Sequence, residues 1–187
     1  VGHHHGDLHK ALLTAALELV AERGPHGFTL AEASRRAGVS KGAPYRHFAD
    51  RDALLAELVL RCYRLQFERF GAAMEAAGPD PTEQLVAFAG ASVQFAKDER
   101  ALFKLTFAGA LDKTLDPALE EAGARVLTLL DAPARRLRPT AHGARRLLLA
   151  IAAGAHGFAV FHDEGVIPDP MEARAEAERV ARLISGG

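Results

Sequence analysis

Cysteine is nearly absent from this chain of 187 residues, and the single one, Cys62, excludes an intramolecular disulfide as a source of stability. An excess of either charge is missing too. The 23 basic residues against 24 acidic ones leave a formal net charge of −1, so no global positive field draws the chain to nucleic acid. Any such affinity has to come from local clustering and from presenting two copies of one basic surface. No secretory signal, transit peptide or apolar run long enough to span a bilayer is legible, and the expected setting is the cytoplasm, with no membrane partner. Alternating strand patterns are lacking, as are a phosphate-binding Gly-rich loop, a nucleophile elbow and a Cys-x-x-Cys pair. What remains is 49% hydrophobic and 25% charged, the balance of an ordinary folded protein with one sizeable core or two small ones.

Helix punctuation is what the chain has in quantity. Asp80-Pro81, Asp116-Pro117 and Asp169-Pro170 each set a capping carboxylate before a first-turn proline, and Glu83 and Glu172 add an acid at capping-box spacing. With breaks at Gly24-Pro25, Gly38, Ala77-Gly78, Pro139 and 165–168, the pattern predicts an all-α fold of about nine helices. A first helix over residues 7–23 carries Leu13, Ala16, Leu17 and Val20 on one face. A long helix beginning near Asp50 carries Leu54, Leu55, Leu58, Val59, Cys62, Leu65 and Phe70. The expected organisation is a three-helix N-terminal domain over 1–49, joined by that long helix to a larger helical domain over 50–187.

The N-terminal domain holds the most specific pattern. Thr29 and Glu32 have capping-box spacing, so a short helix starts there and runs to about Ala37. Gly38 supplies the left-handed backbone that ends it, Val39 plugs the joint, and Ser40 is the N-cap of the next helix. Two helices joined by so short a turn cross steeply. Between residues 35 and 49 stand Arg35, Arg36, Lys41, Arg46 and His47 with no acid among them, a surface suited to a phosphate backbone. Pro44 interrupts the second helix: it lacks the N–H that would reach the Ser40 carbonyl. A short, distorted helix over Lys41 to His47 is therefore expected. An ordinary helical hairpin with a basic face is the competing reading of the charges alone.

Three stretches, ALLTAALELVAERG at 11–24, FTLAEASRRAGVSKGAPYRHF at 28–48 and RDALLAELV at 51–59, together resemble the N-terminal domain of the tetracycline-repressor (TetR) family of bacterial regulators. Ala33, where that family usually has a larger aliphatic, and Pro44, where Leu, Ile or Val is usual, depart from it. The resemblance implies that Thr29, Ser40, Tyr45, His47 and Arg51 touch DNA phosphates while Lys41, Gly42, Ala43 and Arg46 face base edges. HHHGDLHKALL at 3–13 is similar to the His-Gly-Asp-Leu entry of one branch of the family, which favours native sequence over a purification tag or a metal site built from His3, His4, His5 and His9. The stretch over 147–168 resembles a C-terminal domain type marked by Trp, three residues, then His-Gly. His156-Gly157 fit it, but Ala152 stands at the Trp position and the chain has no Trp.

By the same resemblance the function implied is that of a ligand-responsive repressor binding a palindromic operator as a homodimer through helices at about 141–163 and 170–184. The small and apolar residues Ala144, Leu147, Leu148, Ile151, Gly154 and Ala155, with Ala173, Ala177, Val180, Ala181 and Ile184, permit close packing there. Eight of the ten phenylalanines fall between residues 67 and 161, and Tyr63, Gln66, Phe67, Phe70, Phe103, Phe107, His156 and Phe158 are the candidate contacts for a small apolar effector. Each of those rings also suits a plain helical core. A helical carrier or interaction module without an operator is the rival function. An enzyme is disfavoured: His162-Asp163 resembles half of a metal phosphohydrolase site, without the other ligands. No metal or cofactor is expected.

Overall fold

The computed structural model describes residues 3–40, 44–107, 111 and 116–186, and within them there are nine α-helices, one 3-10 helix and no strand. The helices are α1 (His3–Arg23), α2 (Leu30–Arg36), α3 (Arg51–Ala76), α4 (Pro81–Asp98), α5 (Arg100–Phe107), α6 (Pro117–Thr128), α7 (Asp131–Leu137), α8 (Ala141–Asp163) and α9 (Pro170–Gly186). The 3-10 helix is Pro44–Arg46. The all-α class read from the sequence is the observed one.

Local chemistry sets most boundaries. Asp80 caps α4, its carboxylate accepting from the amides of Thr82 and Glu83 at 2.9 and 3.0 Å, with Pro81 at the first helical position. Thr140 does the same for α8 through the Gly143 amide at 3.1 Å. One boundary differs from expectation. Helix α1 begins at His3 rather than near residue 7, because Gly6 weakens a helix without stopping one. Of the helix expected over Lys41 to His47, the described residues show the 3-10 turn Pro44–Arg46, and Lys41, Gly42 and Ala43 lie outside the described residues.

The chain forms two compact units, one of Val1–Cys62 with Ala101–Glu120, the other of Tyr63–Arg100 with Glu121–Gly187. In the first, Leu12, Leu13, Ala16, Leu19 and Val20 of α1 are buried with Phe28, Leu30, Ala33, Phe48 and Leu54. Ala33 is wholly buried, so its small side chain sits where little room is left. In the second unit α4 packs on both α8 and α9, and α8 packs on α9. Phe70 lies edge-on to Phe88 and Phe95, with ring centroids 5.1 and 5.7 Å apart. Burying rings of that size stabilises the fold by roughly 1.5–3 kcal/mol each.

Helix α8 corrects one expectation. It is long and apolar enough to cross a bilayer by length and composition, where the sequence reading expects no such run. Ala and Gly dilute its apolar run in the sequence. Ala144, Leu147, Ile151, Ala155 and Ala159 are buried, and the helix packs on α4 and α9, while Leu149 and Phe161 stay exposed.

Candidate nucleic-acid interface and ligand-binding helices

The capping box at Thr29 is formed. The Thr29 hydroxyl accepts from the Glu32 amide at 3.2 Å, and the Glu32 carboxylate accepts from the Thr29 amide at 2.9 Å. The Thr29 amide, the Thr29 hydroxyl, which donates to the same carboxylate at 3.1 Å, and Arg23 together hold the Glu32 carboxyl below the usual glutamate value. Gly38 closes α2 with φ +69°, and the Val39 amide donates to the Ser34 carbonyl at 3.0 Å. Ser40 follows, exposed. Lys41, Gly42 and Ala43 lie outside the described residues.

Tyr45 and Arg46 stand exposed on the Pro44–Arg46 turn, Tyr45 with 61% of its surface open to solvent. The chain then dives inward: His47 is half-buried and Phe48 buried. Asp50 caps α3 by accepting from the Ala53 amide at 2.8 Å, and Arg51 donates to Asp52 at 2.8 Å. The basic set is smaller than the sequence implied. Arg36 makes a two-pronged pair with Glu22 of α1, at 2.5 and 2.8 Å, and Glu18 lies 3.7 Å away. That pairing raises the Arg36 pKa and lowers that of Glu22. Arg36 is thus committed to α1, while Arg35 is 77% exposed.

Nothing in the sequence pairs His9 with Glu57. In the fold the two meet, His9 Nε2 lying 2.9 Å from a Glu57 carboxylate oxygen. No local spacing signals a pair so far apart in the chain. Among the described residues no group of three or more His, Cys, Asp or Glu is placed to hold a metal.

The candidate ligand contacts have varied surroundings. Phe103 and Phe107 belong to the first unit, with ring centroids 5.1 Å apart, Phe103 buried and Phe107 exposed. The other six belong to the second. Gln66 and Phe70 are buried, Phe70 within the ring cluster of α4. Tyr63 packs against α6, where a side chain at Gly123 would meet its ring and hydroxyl at 3.2 Å. Phe67 lies under the Arg125 guanidinium at 4.4 Å. His156 and Phe158 are half-buried on α8, and burial alone holds the His156 imidazole below its ordinary value of 6.5. His162 Nδ1 lies 3.2 Å from the Ile167 carbonyl and Asp163 pairs with Arg100, so both members of the His-Asp dipeptide have structural partners.

Residues 12–58 match the model of bacterial regulatory proteins of the tetR family, and residues 85–185 match the tetracyclin repressor-like C-terminal domain. The chain belongs to the TetR family. It is accordingly a ligand-responsive DNA-binding regulator. A Rhodococcus sp. RHA1 protein of unknown function is similar over 99% of this chain and 95% of its own, with 28% identity and a TM-score of 0.77. The transcriptional regulator FadR from Bacillus subtilis, solved in complex with stearoyl-CoA, is 18% identical over 95% of this chain and 98% of its own, with a TM-score of 0.78. PfmR of Thermus thermophilus, a TetR family transcriptional regulator, is 23% identical over 94% of each chain, with a TM-score of 0.66. No curated protein matches the sequence.

In this TetR-family regulator, part of the surface expected to meet a second copy is used within the chain. Ala144, Leu147, Ile151 and Ala155 of α8, and Ala173, Ala177 and Ala181 of α9, are buried in their own unit. They form the α4–α8–α9 seams, because a helix spends its apolar stripe first on neighbours of the same chain. Left outward are Leu149 and Phe161 on α8 and Met171 and Leu183 on α9, with Leu148, Val180 and Ile184 half-buried.

Proposed function

We infer that this TetR-family regulator is a homodimeric repressor that binds a palindromic DNA operator and is released from it by a small apolar effector. Residues 1–49 serve DNA binding; residues 50–187 serve effector binding and dimerisation. The observation that carries the DNA assignment is the exposed Tyr45–Arg46 tip, entered through the Gly38 turn, inside the segment that matches the family model. Thr29, Ser40, Tyr45, His47 and Arg51 hold phosphates, while Lys41, Gly42, Ala43 and Arg46 read base edges. Phosphate contacts supply affinity and base contacts supply choice. With a net charge of −1 one basic tip is weak, and a twofold dimer doubles it. The outward apolar residues of α8 and α9 supply the dimer surface.

The effector is apolar with a polar head, of the fatty-acyl class. Two things support that choice: the phenylalanine-rich C-terminal half, and the likeness in fold to a regulator solved with stearoyl-CoA. Tyr63, Gln66, Phe67, Phe70, Phe103, Phe107, His156 and Phe158 make the contacts. An effector shifts DNA affinity only by preferring one arrangement of the protein over another. Four of those residues lie on α3, the helix that begins with the phosphate-binding Arg51. The protein works in the cytoplasm and performs no catalysis. The test is fluorescence anisotropy of a labelled duplex to which the protein binds selectively, titrated with stearoyl-CoA and with free stearate. Release by either supports the acyl reading; unchanged binding up to ligand saturation of the dimer rejects it.

A further inference from the structure

We propose that His9 is a positioning residue for DNA binding, acting through His47; this rests on the reading that His47 holds a phosphate. His9 lies on α1, far from the Pro44–Arg46 turn in sequence, yet its ring touches the segment that leaves that turn. The ring stacks on Phe48, with centroids 5.1 Å apart and planes 22° from parallel. It also meets the His47 ring edge-on, at 5.8 Å and 64°. Its Nε2 is 2.9 Å from Glu57 Oε2 on α3. One imidazole therefore joins α1, the exit of the turn and α3.

The geometry divides the work between the edge and the faces of the ring. The bond to Glu57 limits rotation of the imidazole, and a ring so fixed presents a face to Phe48 and a flank to His47. Phe48 is buried and cannot give way, so His9 sets how far the His47 ring can fall back toward α1. The His9 and Glu57 side chains are each 34% exposed, so water screens their pairing and it adds little to overall stability. The position of His47 is what the ring governs. Because His47 directly follows Arg46, a shift there moves a phosphate contact next to the tip of the turn.

The test uses the full chain and a fluorescein-labelled random-sequence DNA duplex at fixed low salt, since a phosphate contact needs no operator. Affinity and thermal midpoint are measured for His9→Ala, His9→Phe, His9→Gln, His47→Ala and the double alanine variant. His47→Ala and His9→Ala should each weaken binding about two- to tenfold. The double variant should bind no more weakly than His47→Ala alone, because His9 acts through that side chain. His9→Phe keeps the ring on Phe48 without the bond to Glu57 and should recover most of the affinity lost in His9→Ala, whereas His9→Gln keeps only the bond to Glu57 and should recover little. If His9→Ala fails to fold, the Phe and Gln variants decide. Losses that multiply in the double variant, rescue by Gln but not Phe, or an unchanged His9→Ala overturn the proposal alone. No binding by the wild type, or an unaffected His47→Ala, overturns the phosphate reading and the proposal with it.

Discussion

Arg36 and Arg46 carry the same charge and differ in what they can offer a phosphate backbone. Glu18 and Glu22 already surround Arg36, whereas Arg46 is exposed on the turn. Arg46→Ala should cost about 1–3 kcal/mol at a selected site and relax base preference there. Anisotropy on selected and scrambled duplexes measures both, and equal losses on the two would remove Arg46 from base reading. Arg36→Ala should lower the thermal midpoint while leaving DNA affinity nearly intact.

His156 gives a pH dependence whose sign follows from its burial. Its folded pKa lies below 6.5, so the unfolded chain takes up the proton more readily, and stability present at neutral pH is lost as pH falls below that value. The carboxylates of Glu22, Glu32 and Glu176 are held below 4.5 and lose their contribution only further down, as pH falls through the carboxylate range. Between about pH 7 and 5 the thermal midpoint of His156→Gln should therefore fall less than that of the wild type. Parallel curves would place the acid sensitivity on another group.

At the scale of elements, what could be read from the sequence was what neighbours in the chain decide. The Thr29–Glu32 box, the Asp80-Pro81 start and the Gly38 stop each depend on residues within a few positions, and each is present. Gly38→Ala tests the last of these. Nothing lies within 4 Å of a side chain built there, so the cost is the left-handed backbone alone, about 1–2 kcal/mol in urea unfolding. Gly90→Ala differs in kind: its backbone is ordinary, and the added methyl would run into the Glu178 carboxylate on α9. The Arg36–Glu22 pair, the His9–Glu57 contact and the inward direction of Ile151 were not legible. Helical spacing shows that a stripe is apolar; it does not say which surface covers it.

For the whole molecule that distinction redirects the assembly experiment. Ile151 is 1% exposed within its own chain, so Ile151→Glu should unfold the second unit rather than merely separate two copies. Leu149 and Leu183 are 44% and 62% exposed, and a glutamate at either leaves the single chain folded. Leu149→Glu should give monomers in sedimentation equilibrium with an unchanged far-ultraviolet spectrum, and operator affinity should fall with dimerisation. A folded variant that stays dimeric would move the interface off this face.

Operator binding by a dimer is tested most directly by selecting bound duplexes from a random pool at stated salt and sequencing what is retained. The expected result is a twofold-symmetric motif whose half-sites lie about one helical turn, or a multiple of it, apart. A pool that stays random through successive rounds, or a single unrepeated half-site, would contradict it.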